Sequence, residues 1–297
     1  MNINNACILE DRGILFIDGD DAKDFLQNII TNDMNKVSET RSCFASLLSP
    51  QGKFLFEFII IKHKKGYFID CEKLQIDELF KQLSLYKLRS KIQILNLSNE
   101  FVVTALSYEK FKLIKNYKDE LGFTIKYIED PILLDPRNKK LGARLIINLE
   151  KLYLSLKKLD LKSTKAEDYY NLSFEMGIPQ QNTNKLKNKI FGIECNFDEL
   201  HAIDFKKGCY VGQENTSRIK LKNKLNKRLL PIKVVEGSIN EGDVIFNQDT
   251  EIGKVLIGKV YPFAIIKYRS EKFDFNTIFK LNNATVKIIK PFWLNLN

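Results

Sequence analysis

The sequence has only two histidines, His63 and His201, and its five cysteines (Cys7, Cys43, Cys71, Cys195 and Cys209) include no CxxC pair. So few imidazoles leave no material for a His-rich metal centre. An odd number of widely spaced cysteines argues against a closed zinc site and against a disulfide framework. No metal ligands are therefore expected. No run approaches the ~18 apolar residues of a membrane-spanning helix, and the run from Phe58 to Ile61 is only strand-sized. The opening MNINNACILEDRG has neither a basic region followed by an apolar core nor an Arg- and Ser-rich, acid-poor character, so a cytoplasmic protein is expected. The absence of GxxxxGK[ST] argues against nucleotide hydrolysis, and neither HExxH nor GxSxG occurs. There is no internal repeat and no low-complexity linker.

What is present is a chain of 297 residues, enough for two or three domains with real cores, and 44% hydrophobic as in ordinary globular proteins. A formal charge of +10 permits an anionic partner, including nucleic acid. Lysine greatly outnumbers arginine in a chain rich in Lys, Asn and Ile throughout, however, so solvated surface is the better reading of the lysine runs. His63, in Lys62-His63-Lys64-Lys65, reads as a solvated hairpin residue.

Alternating and helical patterns give an α+β chain with two mixed lobes and a small C-terminal β-barrel. Approximate bounds are 1–95, 96–225 and 226–297, with the lobes free to interleave. In the first lobe, LEDRGILFI reads as a strand turning at Arg12-Gly13. Asp20 or Asp21 then caps a helix whose Phe25, Leu26, Ile29 and Ile30 face the core. FLFEFIIIKH and GYFIDC form a hairpin, and a helix from about Glu72 to Leu83 follows, with Leu74, Ile76, Leu79, Phe80 and Leu83 on its apolar face. In the second lobe FVVTALS, GFTIKYI and RLIIN read as strands, and Thr164 with Glu167 as a capping box. Beyond Asn226, short β-rich runs separated by turns fit a small barrel or sandwich, and the barrel is the expectation.

One stretch concentrates chemistry: Lys207-Gly208-Cys209-Tyr210-Val211-Gly212-Gln213-Glu214. Gly208 and Gly212 permit positive φ or a close backbone approach. Lys206 and Lys207 favour a thiolate at Cys209, and Glu214 opposes it. A helix running from about Gly212 through Arg218 would add its positive end. The competing reading is a small buried cysteine in a glycine-rich turn.

The run KGCYVGQE resembles the KGCYxGQE motif of the YgfZ-type folate-binding proteins, relatives of the glycine-cleavage T-protein (aminomethyltransferase) that assist iron–sulfur protein maturation. DRGILFIDGDDAKDFLQNIITND, LLSPQGKFLFEF, YKLRSKI and the segment from Asp135-Pro136-Arg137 to Leu141-Gly142-Ala143-Arg144 are similar to further pieces of that family. Glu194 and Asn196, upstream of the cysteine loop, match another. The resemblance implies a T-protein-like fold and tetrahydrofolate as cofactor. It implies Cys209 as the reactive group and Lys207, Gly208, Tyr210, Gly212, Gln213, Glu214, Arg218, Glu194 and Asn196 around the ligand, with Phe205 a further flat contact. Implied partners are iron–sulfur client proteins or cluster-assembly factors. Cys209 is then expected to line a cavity rather than to be sealed inside a lobe.

Two departures argue against classical aminomethyl transfer. Phe56-Glu57 stands where the relative carries two aspartates, and no clear counterpart of its pterin-facing acid lies near Asp135. Ser173 also replaces a basic residue usual in the family. A tetrahydrofolate-dependent aminomethyltransferase and a binding protein for tRNA or a tRNA-modification enzyme remain as alternatives.

Overall fold

The structure, a computed structural model, describes residues 1–269 and 273–295. The chain divides into two compact units. The first comprises Met1–Leu47, Phe56–Tyr169 and Leu200–Val211, and the second comprises Leu48–Leu55, Tyr170–Glu199 and the described residues from Gly212 onward.

Two sheets interleave in the first unit. One runs in the order Cys43–Leu48, Phe54–His63, Gly66–Glu72, Arg12–Asp18, Gln93–Asn96. The other runs Lys162–Thr164, Asn5–Leu9, Phe101–Leu106, Ala143–Asn148, Asp130–Leu134, Thr124–Tyr127. The opening segment therefore contributes to both sheets, breaking at Glu10-Asp11 rather than at the expected Arg12-Gly13, which begin the second strand. Gly66–Glu72 is buried at every position, as a strand covered on both faces must be, and its register against Arg12–Asp18 sets Asp70 opposite Ile14. In the other sheet Ala6, Leu106, Ile132, Leu145 and Ile147 share a core with Phe111 and Leu156.

Helix Ala22–Ile29 buries Ala22, Phe25, Leu26 and Ile29, spaced at the helical period. Asp21 sits at its N-cap position without capping it, because its carboxylate accepts the Lys91 N–H at 2.7 Å. The next helix, Ile76–Lys87, starts later than its apolar spacing suggests. The residues before it form a 3-10 turn that leaves Leu74 70% exposed. Thr164 is a strand residue whose hydroxyl donates to the Ala6 carbonyl, so it makes no capping box with Glu167. His63 is buried and stacked 4.2 Å from the Phe68 ring rather than solvated, and burial pulls its pKa down to about 4.

The second unit contains a closed six-stranded barrel in the order Lys227–Gly237, Phe263–Lys267, Thr250–Ile257, Val244–Asn247, Ile278–Lys280, Ala284–Ile288. Leu230, Ile232, Val255, Ala264, Ile266 and Val286 fill it. Closure removes the sheet edges that such short strands would otherwise expose. The expected α+β architecture with a C-terminal barrel is what the chain forms; residues 270–272 and 296–297 of the expected barrel range lie outside the described residues.

Candidate functional site

The thiol loop is fixed from behind. Helix Ala22–Ile29 ends with carbonyls that have no intrahelical partner, and the segment after it turns sharply. The Lys207 ammonium reaches this corner and donates to the carbonyls of Gln27 at 2.6 Å, Ile30 at 2.8 Å and Asn32 at 2.9 Å. The Thr31 hydroxyl donates to the Ala202 carbonyl at 2.7 Å, and the Asn32 amide donates to the His201 carbonyl at 2.8 Å. The Asp204 N–H returns a bond to the Thr31 carbonyl, and Asp204 also pairs with Lys36 at 2.7 Å. Burial pulls the Lys207 ammonium down to about 8, with Asp33 opposing. Three carbonyl oxygens satisfy all three of its donors, so Lys207 anchors the loop and has no donor left for an anionic tail.

The thiol itself faces outward. Cys209 is exposed, while Cys7, Cys43, Cys71 and Cys195 are buried, which rules out the sealed-cysteine reading. Burial pushes the Cys43 thiol up to about 12, leaving it protonated and inert. Tyr210, next to Cys209, is turned inward and buried, with the Lys207 ammonium 5.1 Å from its ring centre. Gly208 does not have positive φ, and a Cβ there would meet nothing within 4 Å. The backbone therefore does not require this glycine; its effect is to leave open space beside the thiol.

The remaining motif residues lie in the second unit. Gly212 has φ +85, and a Cβ on it would lie 2.5 Å from the Ser49 carbonyl oxygen. Only glycine fits there. It caps the helix Gln213–Leu221, close to the expected start, and the turn Ser49–Gly52 is tied to that helix by the Asn215 amide donating to the Gln51 carbonyl at 3.0 Å. Glu214 and Arg218 are exposed on this helix, with Arg218 donating to the Asn215 side chain at 3.2 Å. Glu194 accepts the Phe191 N–H at 2.8 Å, and burial raises its pKa. Asn196, at φ +62, donates to the Leu229 carbonyl and accepts from Arg228. Its amide is therefore used in both senses to brace the barrel.

Sequence reasoning missed a buried ionic network in the first unit. Asp70 accepts from the Arg12 Nε at 2.7 Å and also pairs with Arg144. Arg144 and Arg137 both donate to the Tyr169 hydroxyl, at 2.8 and 3.3 Å, and Arg137 grips Asp135 through two nitrogens at 2.9 and 2.7 Å. The arginines hold both aspartates below the usual carboxylate range despite burial. Glu57 is buried too, yet burial outweighs the attraction of Arg137 and Arg12 and pushes it up to about 7. The detectable signal was a charged residue inside the otherwise apolar run GYFIDC. Among the described residues no cluster of three or more His, Cys, Asp or Glu side chains could hold a metal ion, and no helix is long and apolar enough to cross a membrane.

No family model matches the chain. It is similar to the iron–sulfur cluster assembly factor IBA57 homolog, mitochondrial, of Dictyostelium discoideum, 28% identical over 264 residues covering 80% of this chain and 64% of that one. The protein of the same description from Neurospora crassa is 30% identical over 248 residues, covering 78% and 54%. The mouse iron–sulfur cluster assembly factor IBA57, mitochondrial, is 24% identical over 241 residues, covering 76% and 65%. The chain thus spans between 54% and 65% of the length of these relatives. The crystal structure of glycine cleavage system aminomethyltransferase T from Bartonella henselae superposes with a TM-score of 0.74 over 98% of this chain and 86% of that one, at 13% identity, a likeness of fold. The cytoplasmic expectation is overturned, because these relatives are named as mitochondrial. The composition of residues 1–13 carried no information about compartment. By sequence the chain is similar to the mitochondrial IBA57 iron–sulfur cluster assembly factors, in keeping with the iron–sulfur maturation family that the KGCYVGQE run resembles, and its fold is that of the glycine-cleavage T-protein.

Proposed function

We propose that this chain assists the assembly or repair of iron–sulfur clusters in client proteins, with the Cys209 thiol as its working group and tetrahydrofolate as its ligand. The observation that carries this reading is the outward-facing thiol on a loop pinned by the buried Lys207 ammonium. A pinned loop presents its sulfur in one position at little entropic cost on encounter. One thiol cannot hold a cluster that takes about four cysteine ligands, so Cys209 acts transiently, with the other ligands supplied by client or assembly-factor thiolates.

Among the residues the resemblance assigns to folate, Lys207, Glu194 and Asn196 make contacts within the chain, which supports a bracing role for them. Glu214 and Arg218 remain exposed, one suited to accept from ring N–H groups and the other to meet a carboxylate tail. The folate supplies a one-carbon or redox-active pterin when bound. Aminomethyl transfer is less well supported, because the single carboxylate Glu57 is buried among arginines already paired with Asp70 and Asp135.

The reading is tested by reconstituting a [4Fe–4S] client enzyme from iron, sulfide and a cluster-assembly factor, with and without the chain, and by titrating tetrahydrofolate calorimetrically. Faster client activation with the chain, and folate binding weakened by Arg218→Ala, are expected. Activation at the same rate without the chain would overturn the assembly role. Absence of folate binding would overturn the cofactor alone.

A further inference from the structure

The second unit contains a cavity of about 620 Å³ that the thiol chemistry does not use. That volume lies within the roughly 300–1,000 Å³ typical of small-molecule sites. One wall is the turn-rich segment carrying Lys189, Ile190, Phe191 and Glu194. The other is barrel surface: Lys254 and Ile265 are cross-strand partners, with Leu256 two residues along and Lys227 at the start of its strand. Ile265 and Leu256 lie outside the core cluster that fills the barrel. A solvated barrel exterior would carry polar side chains at such positions.

The charges around this apolar wall do not cancel. Lys189 and Lys185 both pair with Glu241, at 2.7 and 3.1 Å. Lys53 lies 3.8 Å over the Phe191 ring centre, and neither it nor Lys227 nor Lys254 pairs with a carboxylate among the described residues. Among the described residues that line the cavity Glu194 is the one acid left, and it is tied to the Phe191 N–H. Three amines therefore surround a half-apolar cavity with one carboxylate to offset them, the pattern of a site awaiting an anion with an apolar body.

We propose that this cavity binds a small organic anion with a flat apolar body, an aryl carboxylate or aryl phosphate. Its charged group meets Lys227 and Lys254, and its body lies against Phe191, Leu256 and Ile265. The site goes beyond the thiol-based reading and does not depend on it.

The test uses the full chain and the aryl sulfonate 1-anilinonaphthalene-8-sulfonate as a fluorescent probe, with phenyl phosphate, phthalate and inorganic phosphate as competitors. Saturable one-to-one binding is expected, weakened about tenfold or more in the Lys227→Glu/Lys254→Glu double variant with an unchanged circular dichroism spectrum. Displacement by phenyl phosphate and not phthalate assigns the phosphate; the reverse assigns the carboxylate. The proposal is overturned if no saturable binding is found, or if the double variant binds as the parent does. It is overturned equally if inorganic phosphate competes as well as phenyl phosphate, since the apolar wall would then contribute nothing. The thiol-based reading is untouched by any of these results.

Discussion

Replacing Glu57 by Gln probes the buried arginine cluster with a change of almost no volume. The Glu57 carboxyl is raised from 4.5 to about 7, burial being the largest cause and Arg137 and Arg12 opposing it. Because its pKa in the folded state lies above the unfolded value, the native chain holds this proton more tightly than the unfolded chain does. Glu57 therefore costs nothing below the unfolded value, costs progressively more as pH rises from about 4.5 to about 7, and costs a constant amount above that. At about 1.4 kcal/mol for each pH unit separating the folded and unfolded values, the full penalty is on the order of 3 kcal/mol. Gln does not titrate. The stability of Glu57→Gln minus that of the parent should thus rise by on the order of 3 kcal/mol between about pH 4 and pH 8. Urea unfolding of both proteins across that range measures it, and the titrations of Asp70 and Asp135 cancel in the difference. A difference that stays flat with pH refutes the reasoning. So does one that falls as pH rises, since it would mean the arginines hold Glu57 ionised in the folded chain.

Lys207→Met removes a buried donor from three carbonyls and should destabilise the chain by about 2–3 kcal/mol, measured by denaturant unfolding; limited proteolysis should show cleavage near residues 201–211 that the parent resists. An unchanged midpoint would mean that Lys207 does not anchor the loop. The two motif glycines should behave oppositely. Gly212→Ala places a Cβ 2.5 Å from the Ser49 carbonyl at φ +85 and should cost about 1–3 kcal/mol. Gly208→Ala, with nothing within 4 Å, should leave stability within about 0.5 kcal/mol of the parent.

Local signals made much of this legible in the sequence. The apolar runs beyond Asn226 became the strands of the closed barrel, because each run is short, β-branched and bounded by turns. The helix expected from about Gly212 appears as Gln213–Leu221, with Glu214 in its first turn and Arg218 and Lys220 in its last, the charge order that complements helix ends. What sequence could not show was long-range. Asp70 meets Arg12 and Arg144 across 58 and 74 residues, so an acid in a buried strand gave no hint of its partners. Lys207 read as a loop charge beside a thiol, because the carbonyls that take its ammonium lie 175 to 180 residues earlier. His63 looked solvated among lysines until the sheet stacked it on Phe68. The lysine surplus read as bulk surface, and only the fold gathers four of those amines around one cavity, Lys189 alone of them paired with a carboxylate among the described residues.

The most direct test of the central claim is the rate of [4Fe–4S] client activation with the parent chain, with Cys209→Ser and with Cys195→Ser. Cys209 is exposed and Cys195 is buried, so Cys209→Ser should abolish the stimulation while folding as the parent does, and Cys195→Ser should retain it. Full stimulation by Cys209→Ser would contradict the account.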